Sequence, residues 1–315
     1  MSRILITGGT GFVGKHLIQF LKPQSSSIAV LASGGSSSPE PDVDYHEVDI
    51  RDRDAVRSVV GKVEPNKIYH LAGVSALDVS WSNPQLTYEV NVFGANNLFN
   101  AAMELPSPPR ILNISTSQVY APSSRPLNED SSIRPDNPYA ASKAMAELLT
   151  VGYRRHNTGG IVTARAFNHT GPGQPPSFVL PSIAKQFAEI EAGMKPPKLI
   201  VGNIEVKRDF TDIRDVVRAY RALLDRGKPG EIYNVCSGSA TSLADIIQMF
   251  QSISTTKVTI AVEEARVRRD DVPHICGDRK KIQELTGWCP RISLHEMVAS
   301  LIDYWRSRVA SRRDT

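Results

Sequence analysis

Two short segments of the chain supply a hydroxyl, a phenol and an ammonium at a defined spacing. Thr116 lies in the run Ser-Thr-Ser-Gln118, Tyr139 follows 23 residues later, and Lys143 lies four positions beyond it. Together these groups can move a proton to or from a carbonyl oxygen. A phenol has a reference pKa of about 10, so exchange near neutral pH requires a drop of roughly 3 units, about 4 kcal/mol. An ammonium one helical turn away can stabilise the phenolate by that order, so we predict that Lys143 lowers the Tyr139 pKa.

Tyr-x-x-x-Lys is also an ordinary pair of helix neighbours, worth roughly 0.2–0.5 kcal/mol. The start of the chain favours the catalytic interpretation. An apolar run at Arg3–Thr7 predicts a strand, Gly8, Gly11 and Gly14 follow it, and a helical pattern covers residues 15–21. Glycines in a strand-turn-helix context allow a tight turn, a close approach of backbone amides to a pyrophosphate, and close packing of helix on strand. The N-terminus of the helix then faces the phosphate charge.

Composition restricts the classes of protein that remain. With 315 residues, of which 41% are hydrophobic, the chain can form two lobes or one large domain with a full core. A net charge of +4 with 22% charged residues is too mild and too mixed to indicate nucleic-acid binding. The three cysteines have no close metal-ligand spacing, and we predict no metal site. No apolar run approaches 18 residues, so we expect a soluble, cytoplasmic protein.

The first half of the chain alternates short apolar runs with helical periods. After the first helix, strands are predicted at 28–31, 45–48, 67–71, 110–114 and 161–164. This rhythm predicts an α/β fold, a Rossmann-type doubly wound parallel sheet with right-handed crossovers. Ligands of such sheets bind at the carboxyl ends of the strands, where Gly8, Gly73 and Thr116 fall. His70, at the end of one such strand, is interpreted as a packing residue.

The second half has more scattered strands and longer helical patterns. Strands are predicted at 198–201, 231–235 and 257–260, and helices near 181–192, 213–224, 243–253 and 294–306. We therefore predict a dinucleotide-binding domain at 1–168. Residues 169–315 would form mainly a smaller substrate-binding lobe, with some elements returning to the first domain.

Several motifs together resemble the extended short-chain dehydrogenase/reductase family that acts on nucleotide sugars, the epimerases and dehydratases. The residues that carry the resemblance are Gly8, Gly11, Gly14, Asp49, Asn91, Thr116, Tyr139 and Lys143. Further motifs, including Arg-Ala-Phe-Asn168 and Val-Gly-Asn203, are similar to the branch that acts on GDP-mannose and GDP-4-keto-6-deoxy-D-mannose. The resemblance covers nearly the whole chain, and it alone supplies the substrate class.

Gln118 separates the two activities of this branch. A 4,6-dehydratase must remove a proton from C5 and expel the C6 hydroxyl, and it carries a carboxylate two residues after the threonine. An amide is neither a general acid nor a general base, so dehydration would lose a factor of about 10² to 10⁴. Reduction at C4 requires only hydride from a nicotinamide and a proton at O4. The resemblance and Gln118 together imply a reductase that produces GDP-D-rhamnose, with Tyr139 as proton donor, Lys143 as the group that adjusts its pKa, and Thr116 bonded to the carbonyl.

The resemblance also implies two sets of binding residues. The cofactor, NADPH or NADH, would contact Gly8, Thr10, Gly11, Phe12, Val13, Gly14, Asp49, Ile50, Leu71, Ala72, Gly73, Asn91, Tyr139, Lys143 and His169. The GDP-sugar would contact Ser75, Gln118, Asn168, Val179, Asn203, Arg208, Arg268 and Asp271. Arginine suits phosphate because its planar fork donates two hydrogen bonds at once. Instead of binding the substrate, Asn203 could be a simple turn residue. Likewise, Arg208 and Arg268 could be solvated surface charges.

Three questions stay open at this level. The second strand ends without the acidic residue typical of NAD enzymes and without an arginine for a 2′-phosphate, so neither cofactor is excluded. A dehydratase, a nucleotide-sugar 4-epimerase or a cofactor-holding sensor protein are alternatives to the reductase. The apolar patterns at 85–105 and 139–153 resemble the helices that build an intersubunit four-helix bundle in relatives, which implies a homodimer.

Overall fold

The computed structural model describes residues 2–24, 27–34, 40–155, 160–264 and 272–311. Its strands are β1 (Arg3–Thr7), β2 (Ser27–Ala32), β3 (Asp44–Glu47), β4 (Lys67–His70), β5 (Arg110–Thr116), β6 (Gly160–Ala166), β7 (Asn168–Thr170), β8 (Lys198–Val201), β9 (Lys207–Asp212), β10 (Ile232–Val235), β11 (Ala240–Ser242), β12 (Thr259–Val262) and β13 (His274–Ile275). Its α-helices are α1 (Phe12–Leu21), α2 (Arg53–Val63), α3 (Leu77–Ser82), α4 (Pro84–Tyr88), α5 (Gly94–Met103), α6 (Pro138–Arg155), α7 (Val179–Glu191), α8 (Ile213–Arg226), α9 (Leu243–Ile253), α10 (Lys280–Thr286) and α11 (Leu294–Ala310).

A seven-stranded parallel sheet forms the larger part of the fold, in the order β10-β6-β5-β4-β1-β2-β3. The chain runs outward from β1 in one direction and then crosses to the other side of it, which is the doubly wound arrangement. The predicted α/β Rossmann-type class is confirmed. The switch in direction lies between β1 and β4, so the carboxyl ends of these two strands border the crevice in which such folds bind ligands.

Helices cover both faces of this sheet because successive strand residues point to opposite sides. Ile4 and Ile6 pack with apolar residues of α1 and α8 on one face. Leu5 packs with residues of α2, α5 and α6 on the other. β10 and α8 both belong to this body although they follow residue 169. The exact division at residue 168 stays a prediction.

The second body is built on α7, α9 and α11, whose apolar faces enclose a separate core. Beside them lie two small sheets, one containing β11, β9, β13 and β7, the other β12 and β8. The contact between β7 and β9 places Asn168 opposite Phe210. Because β7 directly follows β6 of the large sheet, this pairing joins the two bodies next to the end of β6. None of the helices in the described part of the chain is long and apolar enough to cross a membrane.

The helical pattern at 85–105 differs from the expectation of one continuous helix. It consists of α4, a π-helical turn at Glu89–Phe93, and α5. A Cβ placed on Gly94 at the start of α5 would lie 2.6 Å from Ile50, so the glycine allows the helix to approach the loop after β3. Single π turns inside helices insert one extra residue and redirect the side chains around them. Asn91 occupies this turn.

Candidate active site

The glycine loop between β1 and α1 forms a closely packed cradle. Gly8 has φ +69°, and a Cβ there would lie 2.8 Å from the backbone nitrogen of Ala72. A Cβ on Gly14, which lies inside α1, would come within 2.5 Å of Gly9. The N-cap of α1 is Gly11, no side chain caps the helix, and no acidic residue occupies its first turn. Uncapped N–H groups and the positive end of the helix dipole fit the diphosphate of a dinucleotide.

Thr116, Tyr139 and Lys143 meet at the carboxyl end of β5, as their spacing predicts. Thr116 is the last residue of that strand, while the other two lie on the first turns of α6. The Thr116 side chain acts on the Tyr139 hydroxyl and lowers the pKa of the phenol. Lys143 Nζ donates to the carbonyl oxygen of Ile114 at 2.9 Å. This bond ties α6 to β5.

The electrostatics of this trio differ from the sequence expectation. Burial raises the pKa of Tyr139, and the hydrogen bond from Thr116 only partly offsets this effect. Burial also lowers the pKa of Lys143 to about 8, against the opposing attraction of Glu147. In the protein alone, burial therefore outweighs the lowering of the Tyr139 pKa by its neighbours. The physical reason is desolvation, which disfavours both charged forms.

Gly73 faces the ammonium from the loop after β4. A Cβ at this position would lie 3.3 Å from Lys143 Nζ and 2.9 Å from Asn91 Oδ1. The Asn91 amide is buried, accepts from the Val74 nitrogen at 2.8 Å, and donates to the Val74 oxygen and to Ser142 Oγ at 3.0 and 2.9 Å. Its polar atoms thus clamp the loop onto α6. Asn91 supports the wall of the predicted cofactor site, and its amide has no atom without a protein partner.

The predicted cofactor residue Asp49 lies just beyond the carboxyl end of β3. Both carboxylate oxygens of Asp49 bind the guanidinium of Arg51 at 2.6–3.1 Å, which holds the pKa of Asp49 below its usual range. The same arginine reaches Glu89 at 3.0 Å. A surface hollow of about 530 Å³ is lined here by Asp49, Arg51, Asp52, Glu89 and Phe93. Ile50, by contrast, is 4% exposed and belongs to the core.

Two histidines near the loop are neutral. His70 is buried, its Nδ1 lies 2.8 Å from Thr7 Oγ1, and burial lowers its pKa to about 3, in agreement with the packing role expected for it. The predicted cofactor residue His169 bonds the Phe167 oxygen through Nδ1 at 3.0 Å, and burial lowers its pKa. Its ring is stacked parallel to Phe12 of the glycine loop, with centroids 6.5 Å apart. His169 therefore links the end of β6 to the start of α1.

Thr7 also fixes the backbone on the other side of the glycine loop. Its carbonyl oxygen accepts from the nitrogen of Leu71 and its hydroxyl from the nitrogen of Ala72, both at 3.1 Å. The residues predicted to contact the cofactor at 71–73 are thereby held against β1. Thr10 and Val13 lie in the loop and on the first turn of α1, both partly exposed.

The residues predicted to bind the sugar nucleotide are more dispersed. Gln118 lies in the short turn after Thr116, and Asn168 is brought beside β9, the strand of Arg208, by the pairing of β7 with β9. Ser75 is exposed after β4, and Val179 begins α7 with 41% exposure. Arg268 and Asp271 lie outside the described residues.

Two members of this set have observable local roles. Asn203 Oδ1 accepts from the Glu205 nitrogen at 3.0 Å, so the turn role weighed as its alternative is present. Arg208 extends from β9 and donates to the carbonyl oxygen of Lys207 at 2.9 Å. These local contacts do not test substrate binding, so the binding roles of Asn203 and Arg208 stay predictions.

A buried polar network under the trio is the main feature that sequence reasoning missed. Arg165 of β6 is 2% exposed and pairs with Glu147 of α6 through two hydrogen bonds of 3.0 and 2.8 Å. Its guanidinium also donates to the Glu129 oxygen and lies 4.7 Å above the ring of Tyr120. The Tyr120 hydroxyl donates to Asn234 Oδ1 at 2.7 Å. A charged residue inside the apolar run at 161–166 was the available signal.

Charged residues in the loop before Tyr139 are predicted from the sequence to be solvated, and Glu129 corrects this prediction. Its carboxylate accepts from the backbone nitrogen of Asn234 at 2.7 Å, and burial raises its pKa. The neighbouring Asp130 is exposed, as expected. Glu129 belongs to the support of the site.

Fold and site together define a Rossmann-type oxidoreductase of the short-chain dehydrogenase/reductase class. The chain belongs to the GDP-mannose 4,6 dehydratase family, whose model matches residues 5–301.

Comparison with individual proteins adds detail to this family assignment. The chain is 34% identical over 310 residues to a GDP-6-deoxy-D-mannose reductase from Pseudomonas aeruginosa, a match that covers 98% of each protein. It is 31% identical to a GDP-6-deoxy-D-talose 4-dehydrogenase from Aggregatibacter actinomycetemcomitans, covering 90% of this chain and 91% of that protein. Among solved structures, RMD from Pseudomonas aeruginosa complexed with NADPH superposes with a TM-score of 0.86 at 32% identity, covering 98% of this chain and all of that one.

Proposed function

We propose that the protein reduces the C4 keto group of GDP-4-keto-6-deoxy-D-mannose and produces GDP-D-rhamnose. The observation that carries the proposal is the junction of Thr116, Tyr139 and Lys143 with Gln118 two residues after the threonine. This arrangement offers hydrogen-bond donors and a proton to a carbonyl, and it lacks a carboxylate at position 118. The similarity to a GDP-6-deoxy-D-mannose reductase over 98% of the chain supports the same substrate.

NADPH or NADH supplies the hydride to C4 when bound. In this proposal the diphosphate is held by the backbone of Gly8, Thr10, Gly11, Val13 and Gly14, since the cradle there is uncapped and cannot accept a Cβ at Gly8 or Gly14. Gly73 leaves the approach to Lys143 open, and Phe12 with His169 forms an apolar, neutral wall. Asp49 lines the hollow suited to the adenine. NADPH is favoured by the structurally similar RMD complex.

Each member of the trio has a separate task at the carbonyl. Tyr139 gives its phenolic proton to O4 as the carbonyl becomes an alcohol, and a raised pKa keeps that proton in place at neutral pH. Thr116 donates a second hydrogen bond to the same oxygen, which stabilises the negative charge that develops there. Lys143 provides a positive charge close to the phenol, so that the phenolate left after proton transfer is stabilised.

The sugar nucleotide is proposed to lie between the two bodies of the protein. Ser75, Gln118 and Asn168 lie on the carboxyl side of the sheet, and Val179 with Asn203 and Arg208 on the second body; Arg268 and Asp271 complete the predicted set. A half-buried arginine on a short strand suits recognition of a diphosphate. This part of the proposal is tested by Arg208→Gln, which should raise the KM for the GDP-sugar and leave kcat nearly unchanged.

A homodimer is also proposed, on the evidence of an exposed apolar face. Met145, Leu148 and Val151 follow one another at intervals of three along α6 and are 46%, 71% and 46% exposed. Trp81 and Phe93, on the neighbouring segments of the α3–α5 region, are 63% and 62% exposed. A second copy packed on this face would produce the four-helix bundle expected from the sequence. We assign the enzyme to the cytoplasm, where three free cysteines persist and nucleotide sugars are made.

The experiment that tests the function uses the purified protein and a single substrate. GDP-4-keto-6-deoxy-D-mannose is incubated with NADPH or NADH, oxidation of the cofactor is followed at 340 nm, and the product is identified by NMR. We expect GDP-D-rhamnose. The C4 epimer, GDP-6-deoxy-D-talose, would instead place the chain with the talose dehydrogenase, and no turnover with either cofactor would contradict the proposal.

A further inference from the structure

The side chain of Asn137 caps the N-terminus of α6, two residues before Tyr139. Its Oδ1 accepts a hydrogen bond from the backbone nitrogen of Ala140 at 2.8 Å. Because a backbone N–H is always a donor, this bond fixes which end of the Asn137 amide is oxygen. Nδ2 therefore points away from the helix, where it donates to Asp136 Oδ1 at 2.9 Å and to Gln118 Oε1 at 3.3 Å.

The Asn137 amide in turn orients Gln118. An amide nitrogen only donates, so the Gln118 atom that faces it is the acceptor oxygen. Gln118 Nε2 lies on the opposite side of the same amide, and among the described residues we find no hydrogen bond from it. The backbone nitrogen of Gln118 donates to Thr116 Oγ1 at 3.3 Å, so the residue itself adjoins the catalytic threonine. Its two Nε2 N–H groups thus remain available as donors on a residue adjacent to Thr116.

We propose that Asn137 is a positioning residue for sugar recognition, because it holds Gln118 with its donor nitrogen toward the substrate. This inference deepens the proposed function and rests on it. Thr116 and Tyr139 occupy both lone pairs of the C4 carbonyl oxygen, so Gln118 binds a neighbouring acceptor oxygen of the sugar. A carboxylate in its place would present acceptors only. The fixed Gln118 amide therefore contributes to the choice of sugar. It also cannot act as the base that dehydration requires.

Asn137→Asp separates this role from helix capping. Aspartate caps a helix as well as asparagine, so the bond from Ala140 is retained while the donor to Gln118 is lost. Gln118 then turns its nitrogen toward the new carboxylate and presents Oε1 to the sugar. We expect the KM for GDP-4-keto-6-deoxy-D-mannose to rise about tenfold, the loss of one hydrogen bond. The KM for NADPH should stay at its wild-type value, while the melting temperature should fall slightly, because the new carboxylate replaces the donor to Asp136.

Two further variants make the result specific. Asn128→Asp is the matched control, since it adds the same charge to a similar exposed turn, where Asn128 Oδ1 accepts from the Asp130 nitrogen at 3.2 Å; its kinetics should equal those of the wild type. Gln118→Met removes the amide itself and should raise the sugar KM by a similar factor. The double variant with Asn137→Asp should then be no worse than Gln118→Met alone. A wild-type KM in Asn137→Asp, or losses that multiply in the double variant, would overturn the inference.

A spectroscopic measurement tests whether Asn137 orients the Gln118 amide, and it does not require enzyme turnover. Side-chain amide protons of Gln118 should exchange rapidly with water in the wild type and slowly in Asn137→Asp, where they are donated to the carboxylate. Equal exchange rates in the two proteins would overturn the inference. If the wild type fails to reduce the keto-sugar while the exchange rates differ as expected, the proposed function is wrong and the orientation of Gln118 by Asn137 stands.

Discussion

Tyr139 is the proton donor in this account, and its hydroxyl can be removed without disturbing the ring. Tyr139→Phe should lower kcat for keto-sugar reduction by at least about 10². The affinity for NADPH, measured by fluorescence titration, should stay nearly unchanged, since the aromatic body still fills its partly buried place beside Thr116. Near wild-type turnover in this variant would show that another group delivers the proton.

The pKa of Lys143 predicts how the reaction rate depends on pH. Its pKa of about 8 means that the ammonium loses its charge as pH rises through that value. The charged form is the one that supports proton release from Tyr139, so kcat/KM should be constant below about pH 7.5 and fall above pH 8. The profile of kcat/KM for NADPH reports the enzyme without cofactor, which is the state described here.

Lys143→Arg is the control for that profile, because a guanidinium stays charged throughout the range. The alkaline fall should then move beyond pH 10, even where the maximal rate is reduced. An unchanged fall near pH 8 in this variant would assign the titration to another group.

The sequence predicted which residues lie together better than it predicted their environments. The spacing of Thr116, Tyr139 and Lys143 was sufficient to predict that they meet, because strand end and helix start are adjacent in a βα unit. Their pKa values depend on burial by residues distant in the chain, which no spacing encodes. The spacing of residues also does not predict the environment of Asn91. Its amide makes hydrogen bonds with the Val74 backbone and with Ser142.

Among the elements, β6 and α6 are joined by the buried pair of Arg165 and Glu147. Removing one partner leaves an uncompensated buried charge, so Arg165→Met should lower the free energy of unfolding by about 3–5 kcal/mol in urea titrations. The double variant with Glu147→Leu should recover part of this loss, although not the contacts with Glu129 and Tyr120. A double variant less stable than both single variants would contradict the pairing energy assumed here.

An exposed pair provides the comparison for that measurement. Lys280 and Glu284 on α10 are 76% and 67% exposed and 3.8 Å apart. Surface pairs of this kind contribute about 0–1 kcal/mol, so Glu284→Gln should change the free energy of unfolding by less than 1 kcal/mol.

Element boundaries illustrate which parts of the fold are encoded locally. Apolar strands of the large sheet were predicted within two residues at most of their ends, since buried parallel strands are continuous apolar runs. The short strands β7, β9, β11 and β13 were missed, because two to six polar residues acquire strand geometry only from partners far along the chain. The π turn at 89–93 was also missed; it directly precedes Gly94, which packs closely on Ile50.

For the whole molecule, the exposed face of α6 predicts self-association. Light scattering should give twice the chain mass of 34.6 kDa at micromolar concentration. Leu148→Asp places a charge at the most exposed position of that face and should produce monomers. Ile260→Asp, at a 46% exposed apolar position on β12, is the matched control and should leave the dimer intact. A monomeric wild-type protein would contradict this prediction, because the apolar face of α6 would then be exposed to solvent.

This member of a dehydratase family is proposed to be a reductase, and the choice between two substrates distinguishes the two activities. Wild-type protein is given GDP-mannose with NADP⁺ in one reaction and GDP-4-keto-6-deoxy-D-mannose with NADPH in another, and both products are followed by NMR. We predict steady reduction of the keto-sugar and intact GDP-mannose, since position 118 is a glutamine and provides no carboxylate. Conversion of GDP-mannose to the 4-keto-6-deoxy sugar at a comparable rate would contradict it.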